Sequence, residues 1–321
     1  MNRLSRRAFL GAACASWAAE PEYIVDIHQH TVYGQRDGEQ LVKHQRAMGV
    51  KRTVLLPVGT RPGLAPGAGG NQSAVDLARK YRGEFVFFAN AVPDDPNARR
   101  EIEKYLKAGA LGIGEQKYAF ACDSEPMQRI FAIAQDHRIP VLLHFQHGAF
   151  NMGIERFYKM AEKFPQAKFI GHAQTWWGNI DRKHDQPVMY PKGPVTPGGI
   201  TDRLLSDYPN VYADSSAGSG LNALLRDEDH ARAFLDRHQD KLMFGSDCSD
   251  SDGSGPGCSG SQCIAALKRL APSSDIAQKI FHRNAVRILK ISESQLQAEL
   301  NIPVLGAGRG NESERPGPEG R

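Results

Sequence analysis

The sequence predicts an α/β protein built as a single (β/α)8 barrel of the TIM type. Short apolar runs rich in β-branched residues alternate with amphipathic stretches of roughly 10 to 15 residues along most of the chain. Eight such βα units within about 270 residues correspond to the size of a closed barrel. The competing fold is an open doubly wound sheet. That fold would need a Gly-rich phosphate-binding turn where this chain has His28-Gln29-His30.

The predicted strands are apolar runs bounded by turn or helix-stop residues. Solid hydrophobic runs such as 54–58 and 85–88 are typical of strands that are buried on both faces. Segments 101–107 and 127–133 repeat apolar residues at helical spacing, and Gly109 marks a helix end. In chain order, the eight predicted strands are 23–30, 52–58, 85–91, 111–117, 140–144, 168–172, 210–214 and 241–247.

Composition favours one large domain over residues 21–300. The chain has 321 residues, of which 40% are hydrophobic and 24% are charged, which is enough for a large core. The net charge of +4 is small and the basic residues are dispersed, so we expect no nucleic-acid partner. No segment approaches the roughly 20 apolar residues of a spanning helix, so we expect no stable membrane span. The expected partner is a small-molecule substrate, and a homo-oligomer stays open.

The two ends of the chain differ in composition from the rest. Residues 1–20 combine Ser5-Arg6-Arg7 with a short Ala-rich stretch, which is the pattern of a bacterial twin-arginine export signal. A disordered basic N-terminus is the alternative. Export by this route predicts a periplasmic protein that folds before transport. Residues 301–321, rich in Gly, Pro, Glu and Arg, are predicted to be a disordered tail.

Four cysteines remain after the predicted signal: Cys122, Cys248, Cys258 and Cys263. An even number in an oxidising compartment permits disulfides, with three possible pairings. The last three share one Gly/Ser-rich stretch and lack the paired Cys-x-x-Cys spacing of structural zinc sites. We therefore expect a disulfide that staples this loop rather than a metal site.

Two predicted connections, 173–199 and 248–260, are long for a compact domain. Loops of this size are usually functional, and on a barrel they hang over the catalytic mouth. Trp176 and Trp177 in the first loop could wall the pocket against an apolar or sugar ring. They could equally anchor the loop as a hydrophobic plug.

Residue types that bind metal ions recur where the predicted strands end, which is where barrel active sites lie. Singly, each has an ordinary structural explanation, since a strand-end histidine is usually a hydrogen-bonded core residue and a carboxylate can cap a helix. Buried together without a metal ion, such groups would be costly to desolvate. They therefore predict a site for one or two divalent cations, zinc first and manganese as the alternative. The residues are His28, His30, Glu115, His144, His172 and Asp247.

Three further polar residues follow predicted strands and could bind a polar or anionic substrate: Asn90, Arg61 and Lys117. Each could equally be a turn or salt-bridge residue. His147 lies three residues after His144 and could substitute for it or touch substrate. His144 is preferred because it directly ends its apolar run.

These motifs resemble the amidohydrolase superfamily, and closely its amidohydrolase-related branch of metal-dependent hydrolases. The resemblance spans about residues 22–291, and it implies a TIM barrel whose first ion is bound by His28, His30 and Asp247. His144 and His172 would bind a second ion. Glu115 would bridge the two, at a position where many members have a modified lysine. If Glu115 pointed away from the site, a mononuclear centre would follow. The matching segments are 25–30, Glu115, 142–144, 169–172, 245–247 and 281–289.

The predicted chemistry is hydrolysis. A cation held by imidazoles and carboxylates lowers the pKa of bound water and polarises a carbonyl, which suits cleavage of an amide, ester or lactone bond in a small molecule. Asp247 would accept the water proton and pass it to the leaving group. One alternative is a non-oxidative decarboxylase of a small carboxylic acid, which Glu115 argues against because a single-metal lyase needs no bridging carboxylate. The other is a barrel that binds without turnover, which the complete ligand set argues against.

Overall fold

The computed structural model describes residues 23–58 and 68–291. The predicted export signal, Arg61 and the predicted tail lie outside these ranges, and the domain boundaries at residues 21 and 300 stay predictions. None of the described helices combines the length and hydrophobicity needed to cross a membrane.

The predicted barrel is confirmed, with one parallel strand on each of the eight predicted segments. The strands are β1 (Ile24–Gln29), β2 (Val50–Leu55), β3 (Phe85–Phe87), β4 (Ile113–Gln116), β5 (Pro140–His144), β6 (Lys168–His172), β7 (Val211–Asp214) and β8 (Leu242–Met243). Strands β1–β3 pair in sequence order, as do β4–β8. A parallel bridge between Ala89 and Ile113 connects the two runs. Backbone hydrogen bonds from Ile27 N to Phe244 O (3.0 Å) and from Asp247 N to His28 O (2.8 Å) join the end of the barrel to its beginning.

Helices follow the strands and form the outer layer. Helix α1 begins with a capping box, in which the Asp37 side chain accepts from Gln40 N and the Gln40 side chain accepts from Asp37 N. A π-helix over Lys279–Arg283 precedes the last helix, and 3-10 turns cover Tyr33–Gln35 and Ile154–Arg156. The α-helices are α1 (Gly38–Ala47), α2 (Asn71–Lys80), α3 (Ala98–Lys107), α4 (Glu125–His137), α5 (Tyr158–Lys163), α6 (Gln174–Gly178), α7 (Ile200–Asp207), α8 (Ala217–Leu225), α9 (Glu228–Arg237), α10 (Ser259–Leu270), α11 (Ser274–Gln278) and α12 (Asn284–Leu289).

Most strands end earlier than the sequence predicts, because the apolar patterns run on into the loops. The clearest case is β8, which ends at Met243 rather than at Asp247. The chain from Phe244 onward is still held beside β1 by the two backbone hydrogen bonds above. Of the six predicted ligands, His30 and Asp247 therefore lie just past the regular strands. The other four, His28, Glu115, His144 and His172, are among the last residues of theirs.

The barrel interior is apolar and is closed at one end by α12. Side chains from successive strands, including Ile27, Leu142 and Ile170, form one buried cluster together with Ile288 and Leu289 of α12. The Asn284 side chain donates to Leu242 O, at the start of β8. Helix α12 thus covers the N-terminal ends of the strands, and the open mouth is at the C-terminal ends.

Candidate metal centre

The strand-end histidines and carboxylates converge at the mouth of the barrel. At the end of β1, His28 Nε2 and His30 Nε2 lie 3.2 Å from each other. Asp247 Oδ1 lies 3.5 Å from His30 Nε2 and 3.8 Å from His28 Nε2. Glu115 Oε2 approaches the same two nitrogens at 3.5 and 3.9 Å. Four of the six predicted ligands therefore share one small volume.

The other nitrogens of His28 and His30 are already engaged, which fixes the direction of their lone pairs. His30 Nδ1 lies 2.7 Å from Leu56 O, which can only accept, so this nitrogen carries the proton. His28 Nδ1 lies 2.5 Å from Asp214 Oδ2 and donates to that carboxylate. In the neutral rings both Nε2 atoms are then acceptors that face each other at 3.2 Å. A cation between them satisfies both.

His172 completes the cluster from β6. Its Nε2 lies 3.5 Å from Asp247 Oδ2 and 3.8 Å from Glu115 Oε1. Its Nδ1 lies 2.9 Å from Ser216 Oγ. The Nδ1 atom of His172 is thus hydrogen-bonded to a neighbour, as it is in His28 and His30, and its Nε2 points into the site.

His144 is placed differently from the other predicted ligands. Its Nδ1 donates to Glu115 Oε1 at 2.6 Å, and its Nε2 faces Gln146 Oε1 at 3.2 Å. His144 is absent from both metal-ligand groups formed by these residues, which are His28 with His30 and Asp247, and His28 with Glu115 and His172. The second ion implied by pairing His144 with His172 therefore has no preformed donor set among the described residues.

The charged groups of the site shift one another's pKa values. Burial raises the pKa of Asp247, but the surrounding histidines outweigh it and hold this pKa well below its usual value. Burial likewise opposes ionisation of Glu115, yet Lys117, His144 and His28 keep its pKa well below normal. Burial lowers the pKa of His28, but Asp247, Asp214 and Glu115 raise it to about 10. Both carboxylates are thus anionic, and a bound cation would displace a proton from His28.

The geometry and the charge both fit a divalent cation. Donors about 2.1 Å from a shared ion lie roughly 3.0–3.5 Å from one another, close to the separations seen here. The buried carboxylate of Glu115 and the partly exposed one of Asp247 supply the negative charge that such an ion needs. Oxygen and imidazole donors suit zinc or manganese. Whether the six residues bind metal stays a prediction.

Asp247 differs from the rest of the cluster in its exposure and its backbone. Its side chain is 12% exposed, whereas those of His28 and Glu115 are 0% and 1% exposed. Its φ of 39° lies in the left-handed region, which an Asp tolerates better than a bulky residue does. The hydrogen bond from its amide to His28 O holds this conformation. Asp247 is the most exposed member of the cluster, since the side chains of His28, His30, Glu115 and His172 are at most 3% exposed.

Asp26, one layer back on β1, organises the region without joining the cluster. Its carboxylate accepts from His28 N and Ser246 N, both at 2.9 Å. It also accepts from Ser246 Oγ at 2.5 Å and from Gln45 Nε2 of α1 at 2.7 Å. Burial raises its pKa in spite of these bonds. The pairing of β1 with β2 changes register between Asp26 and Gln29.

Sequence reasoning missed three residues of the site. Asp214 ends β7 and is fully buried against His28, and Ser216 lies beside it against His172. Asp214 carried the same signal as the predicted ligands, an acidic residue at a strand end. Tyr33, in the turn after β1, has its ring 5.4 Å from that of His30. The Asp247 charge, followed by burial, raises the Tyr33 pKa above its usual value.

Two of the predicted substrate-binding residues, Asn90 and Lys117, differ in their contacts. Asn90 is buried and donates to Pro57 O and Glu115 O, at 2.8 and 2.7 Å, so it positions the backbone of β4. Lys117 is half-buried at the end of β4, with its ammonium 5.8 Å from the centre of the Phe150 ring. No ion pair of Lys117 occurs within residues 23–58 and 68–291. Its positive charge favours the anionic form of Glu115.

Both tryptophans of the long loop are buried rather than lining the mouth. Trp176 is 0% exposed and stacks on Phe145 with ring centres 5.6 Å apart. Trp177 Nε1 donates to Asp214 O at 2.9 Å. These contacts favour the anchoring role over a pocket wall.

The cysteines also depart from the sequence-based expectation. Cys122, Cys248, Cys258 and Cys263 are all buried free thiols, so the expected disulfide staple is not formed. The Cys248 and Cys258 sulfurs lie 3.6 Å apart beneath the loop that follows β8.

Comparison with known proteins bears on family and fold. The profile of the amidohydrolase family matches residues 60–291, which include four of the six predicted ligands but not His28 and His30. No protein of the curated set gives a significant match to the chain.

Several solved structures share the fold at low identity. An uncharacterised TIM-barrel protein from Bordetella bronchiseptica is 16% identical, with a TM-score of 0.60 over 84% of this chain and 98% of that one. A probable 2-pyrone-4,6-dicarboxylic acid hydrolase from Acinetobacter baumannii is 13% identical, with a TM-score of 0.56 over 84% and 99% of the two chains. A 5-carboxyvanillate decarboxylase from Sphingomonas paucimobilis is 16% identical, with a TM-score of 0.51 over 79% and 83%. At these identities the likeness concerns the fold alone.

The Asp214–His28 contact generates a prediction about metal affinity. Asp214→Asn keeps the size of the side chain but removes the charge that orients the His28 ring. We expect the affinity for Zn²⁺ to fall about 10- to 100-fold, as for other carboxylates that hold a metal-binding histidine. Competition with a chromogenic chelator measures it. The matched control is Asp202→Asn, which breaks a similar pair, Asp202 Oδ1 to His238 Nε2 at 2.6 Å, away from the site. Equal affinities in Asp214→Asn and wild type would contradict this role.

Proposed function

The chain belongs to the amidohydrolase family, and on that premise we propose that the protein is a metal-dependent hydrolase that cleaves an amide, ester or lactone bond in a small molecule. The observation that carries the proposal is the position of Asp247. It is the partly exposed carboxylate of an otherwise buried donor cluster, in contact with both strand-one histidines. A proton acceptor at the mouth, beside a cation site, is what hydrolysis by activated water requires.

The proposed cofactor is one divalent cation, zinc first and manganese second. His28, His30 and Asp247 would hold it, with Glu115 and His172 in reach. When bound, the ion would supply an acidified water and polarise the carbonyl of the substrate. The hydrogen bond from His144 to Glu115 favours one ion over the bridged pair that the family resemblance implies.

The chain's own groups would then divide the remaining tasks. Asp247 takes the proton from the attacking water and returns it to the leaving group. Burial lowers the pKa of His144 to about 4, so its ring is neutral at pH 7 with Nδ1–H on Glu115. Its Nε2 lies 3.2 Å from the Gln146 side chain, so His144 would position Glu115 rather than act as an acid. Lys117 can bind an anionic group at the same rim.

Replacing Asp247 tests the proposed mechanism. Asp247→Asn retains an oxygen donor and the left-handed backbone, which Asn also tolerates. We expect the fold and most of the metal to remain while kcat falls about 100- to 10,000-fold, the usual contribution of a general base. Steady-state hydrolysis of an ester or lactone panel, with metal analysis of the same samples, measures both. A rate near that of wild type would remove Asp247 from this role.

Decarboxylation of a small carboxylic acid is the second candidate. Two observations favour it: the two groups of candidate metal ligands at the mouth share His28 rather than forming separate sets, and Lys117 supplies a positive charge at the end of β4 that could bind a carboxylate. Glu115 points into the cluster, as the bridged pair requires, but its other oxygen accepts from His144 Nδ1 at 2.6 Å, so His144 and Glu115 contact each other where a second ion would lie.

Product analysis with a charge variant decides between the two reactions. For the hydrolase, we expect acid release from lactones or esters and no carbon dioxide from aromatic acids. Lys117→Gln should raise KM about 10- to 100-fold for substrates that carry a carboxylate, because it removes a charged partner, and should change KM for neutral esters much less. Lys159→Gln, at an exposed lysine of α5, is the control. Carbon dioxide release without hydrolysis would establish the second candidate instead.

We also propose that the protein is exported to the periplasm, on the strength of the Ser5-Arg6-Arg7 pattern and the Ala-rich stretch after it. Replacing Arg6 and Arg7 by Lys should retain the full-length chain in the cytoplasm of a bacterial host that has the twin-arginine pathway. Cell fractionation and the mass of the mature chain measure this. Undiminished export of the double variant would point to another route.

A further inference from the structure

A second group of metal-binding side chains lies beneath the loop that follows β8, apart from the predicted centre. It consists of His44 on α1, Cys248 directly after Asp247, and Cys258 at the start of α10. Their donor atoms lie within 4.8 Å of one another, and all three residues are buried. Cys258 Sγ is 3.6 Å from Cys248 Sγ and 3.6 Å from His44 Nε2. We call this group the sulfur cluster.

The hydrogen bonds behind His44 direct its lone pair at the cysteines. Gln45 Nε2 donates to Asp26 Oδ2 and to Thr53 Oγ1, both at 2.7 Å. That arrangement leaves Gln45 Oε1 as the acceptor for His44 Nδ1, at 2.9 Å. His44 therefore carries its proton on Nδ1, and the lone pair of its unprotonated Nε2 faces Cys258 Sγ. Metal-binding histidines are oriented in the same way.

The loop is folded so that both thiols are held at this position. Gly253 has a φ of 72°, and a Cβ there would lie 2.3 Å from His44 O, so the loop needs glycine to pack on α1. Cys248 O accepts from the side chains of Arg36 and Gln29, at 2.6 and 3.1 Å. Met48 Sδ, one turn after His44, lies 3.6 Å from Cys258 Sγ. The site thus has three donors and a thioether in reach.

We propose that His44, Cys248 and Cys258 bind a thiophilic metal ion, Zn²⁺ or Cu⁺, at a site that is separate from the predicted catalytic centre. Around a tetrahedral ion, two thiolates lie about 3.8 Å apart, and a thiolate and an imidazole nitrogen about 3.5 Å apart. Both values are close to the distances observed. Binding releases the two thiol protons to solvent and needs no oxidant. Soft sulfur donors select zinc or cuprous copper over the harder ions that carboxylates prefer.

The sulfur cluster is linked to the mouth of the barrel through the chain and through hydrogen bonds. Cys248 is the residue after Asp247, and Gln45 links His44 to Asp26, which in turn accepts from His28 N. An ion here would fix the loop after β8 and, through it, the backbone that carries Asp247. Its role would be positioning rather than catalytic. The proposal does not depend on the reaction assigned above.

Cobalt substitution separates the two sites, because only the sulfur cluster contains sulfur. We expect the full-length protein loaded with Co²⁺ to show the strong near-ultraviolet absorption of a thiolate–cobalt bond, and Cys258→Ser to lose it. Metal analysis should find about one ion per chain fewer in Cys258→Ser than in wild type. The matched controls are Cys122→Ser and Cys263→Ser, which replace buried thiols that bond to Gly153 O and Ser215 O instead. Both controls should keep the absorption and the ion.

A second measurement on the wild-type chain keeps the test decisive if the variants fail to fold. Cys248 and Cys258 should resist alkylation until a chelator removes the ion, whereas the reactivity of the other two thiols should not change. The metal found in the purified protein, and its removal by a zinc-selective or a cuprous-selective chelator, distinguish the two ions. Met48→Leu should weaken binding of Cu⁺ and leave that of Zn²⁺ unchanged.

Two results would overturn the proposal. One is a disulfide between Cys248 and Cys258, detected as two thiols that can be alkylated only after reduction. The other is a pair of reduced thiols that alkylate equally with and without chelator and give no thiolate–cobalt absorption. In that case His44 and Cys258 form an ordinary hydrogen bond.

Discussion

The site depends on the hydrogen bonds that the buried carboxylate of Asp26 accepts. It accepts hydrogen bonds from β1, from the segment after β8 and from α1, and so it joins the first and last parts of the barrel. A buried carboxylate is stable only when its oxygens are satisfied, which limits how these three segments can be arranged. His28 follows Asp26 by two residues, and Asp247 follows Ser246. The Asp26 carboxylate, which is not itself a predicted ligand, therefore positions the backbone next to both His28 and Asp247.

The predicted metal ligands are likewise oriented by residues that are not ligands themselves. His28 is held by Asp214, His30 by Leu56 O and His172 by Ser216. Each partner takes up one ring nitrogen and leaves the other for the site. This arrangement explains how three imidazoles can face one another while they are buried. Their orientation comes from strands β2 and β7 and the turn after β7, which supply no metal ligand themselves.

The sequence was sufficient to predict the barrel and the position of the six residues near the strand ends. Both predictions rest on local patterns: strand-like and helix-like segments that alternate along the chain, and the points where apolar runs end. The sequence could not separate His144 from the others, since that difference rests on a hydrogen bond to Glu115 across two strands. Trp176 was ambiguous because a large aromatic residue in a loop suits either a pocket or a core. The thiols were misread as a disulfide because their third partner, His44, lies about 200 residues earlier in a helix that looked ordinary.

The contacts between Asp26 and Ser246 also constrain the order in which the chain can fold, since they join residues 220 positions apart. Contacts of such long range form late, because the intervening chain must be ordered first or its closure entropy overcome. His28 and Asp247 meet only across this seam. A growing or truncated chain can thus build several βα units and still lack a complete donor set. Occupancy of the centre would then report that the whole barrel has closed.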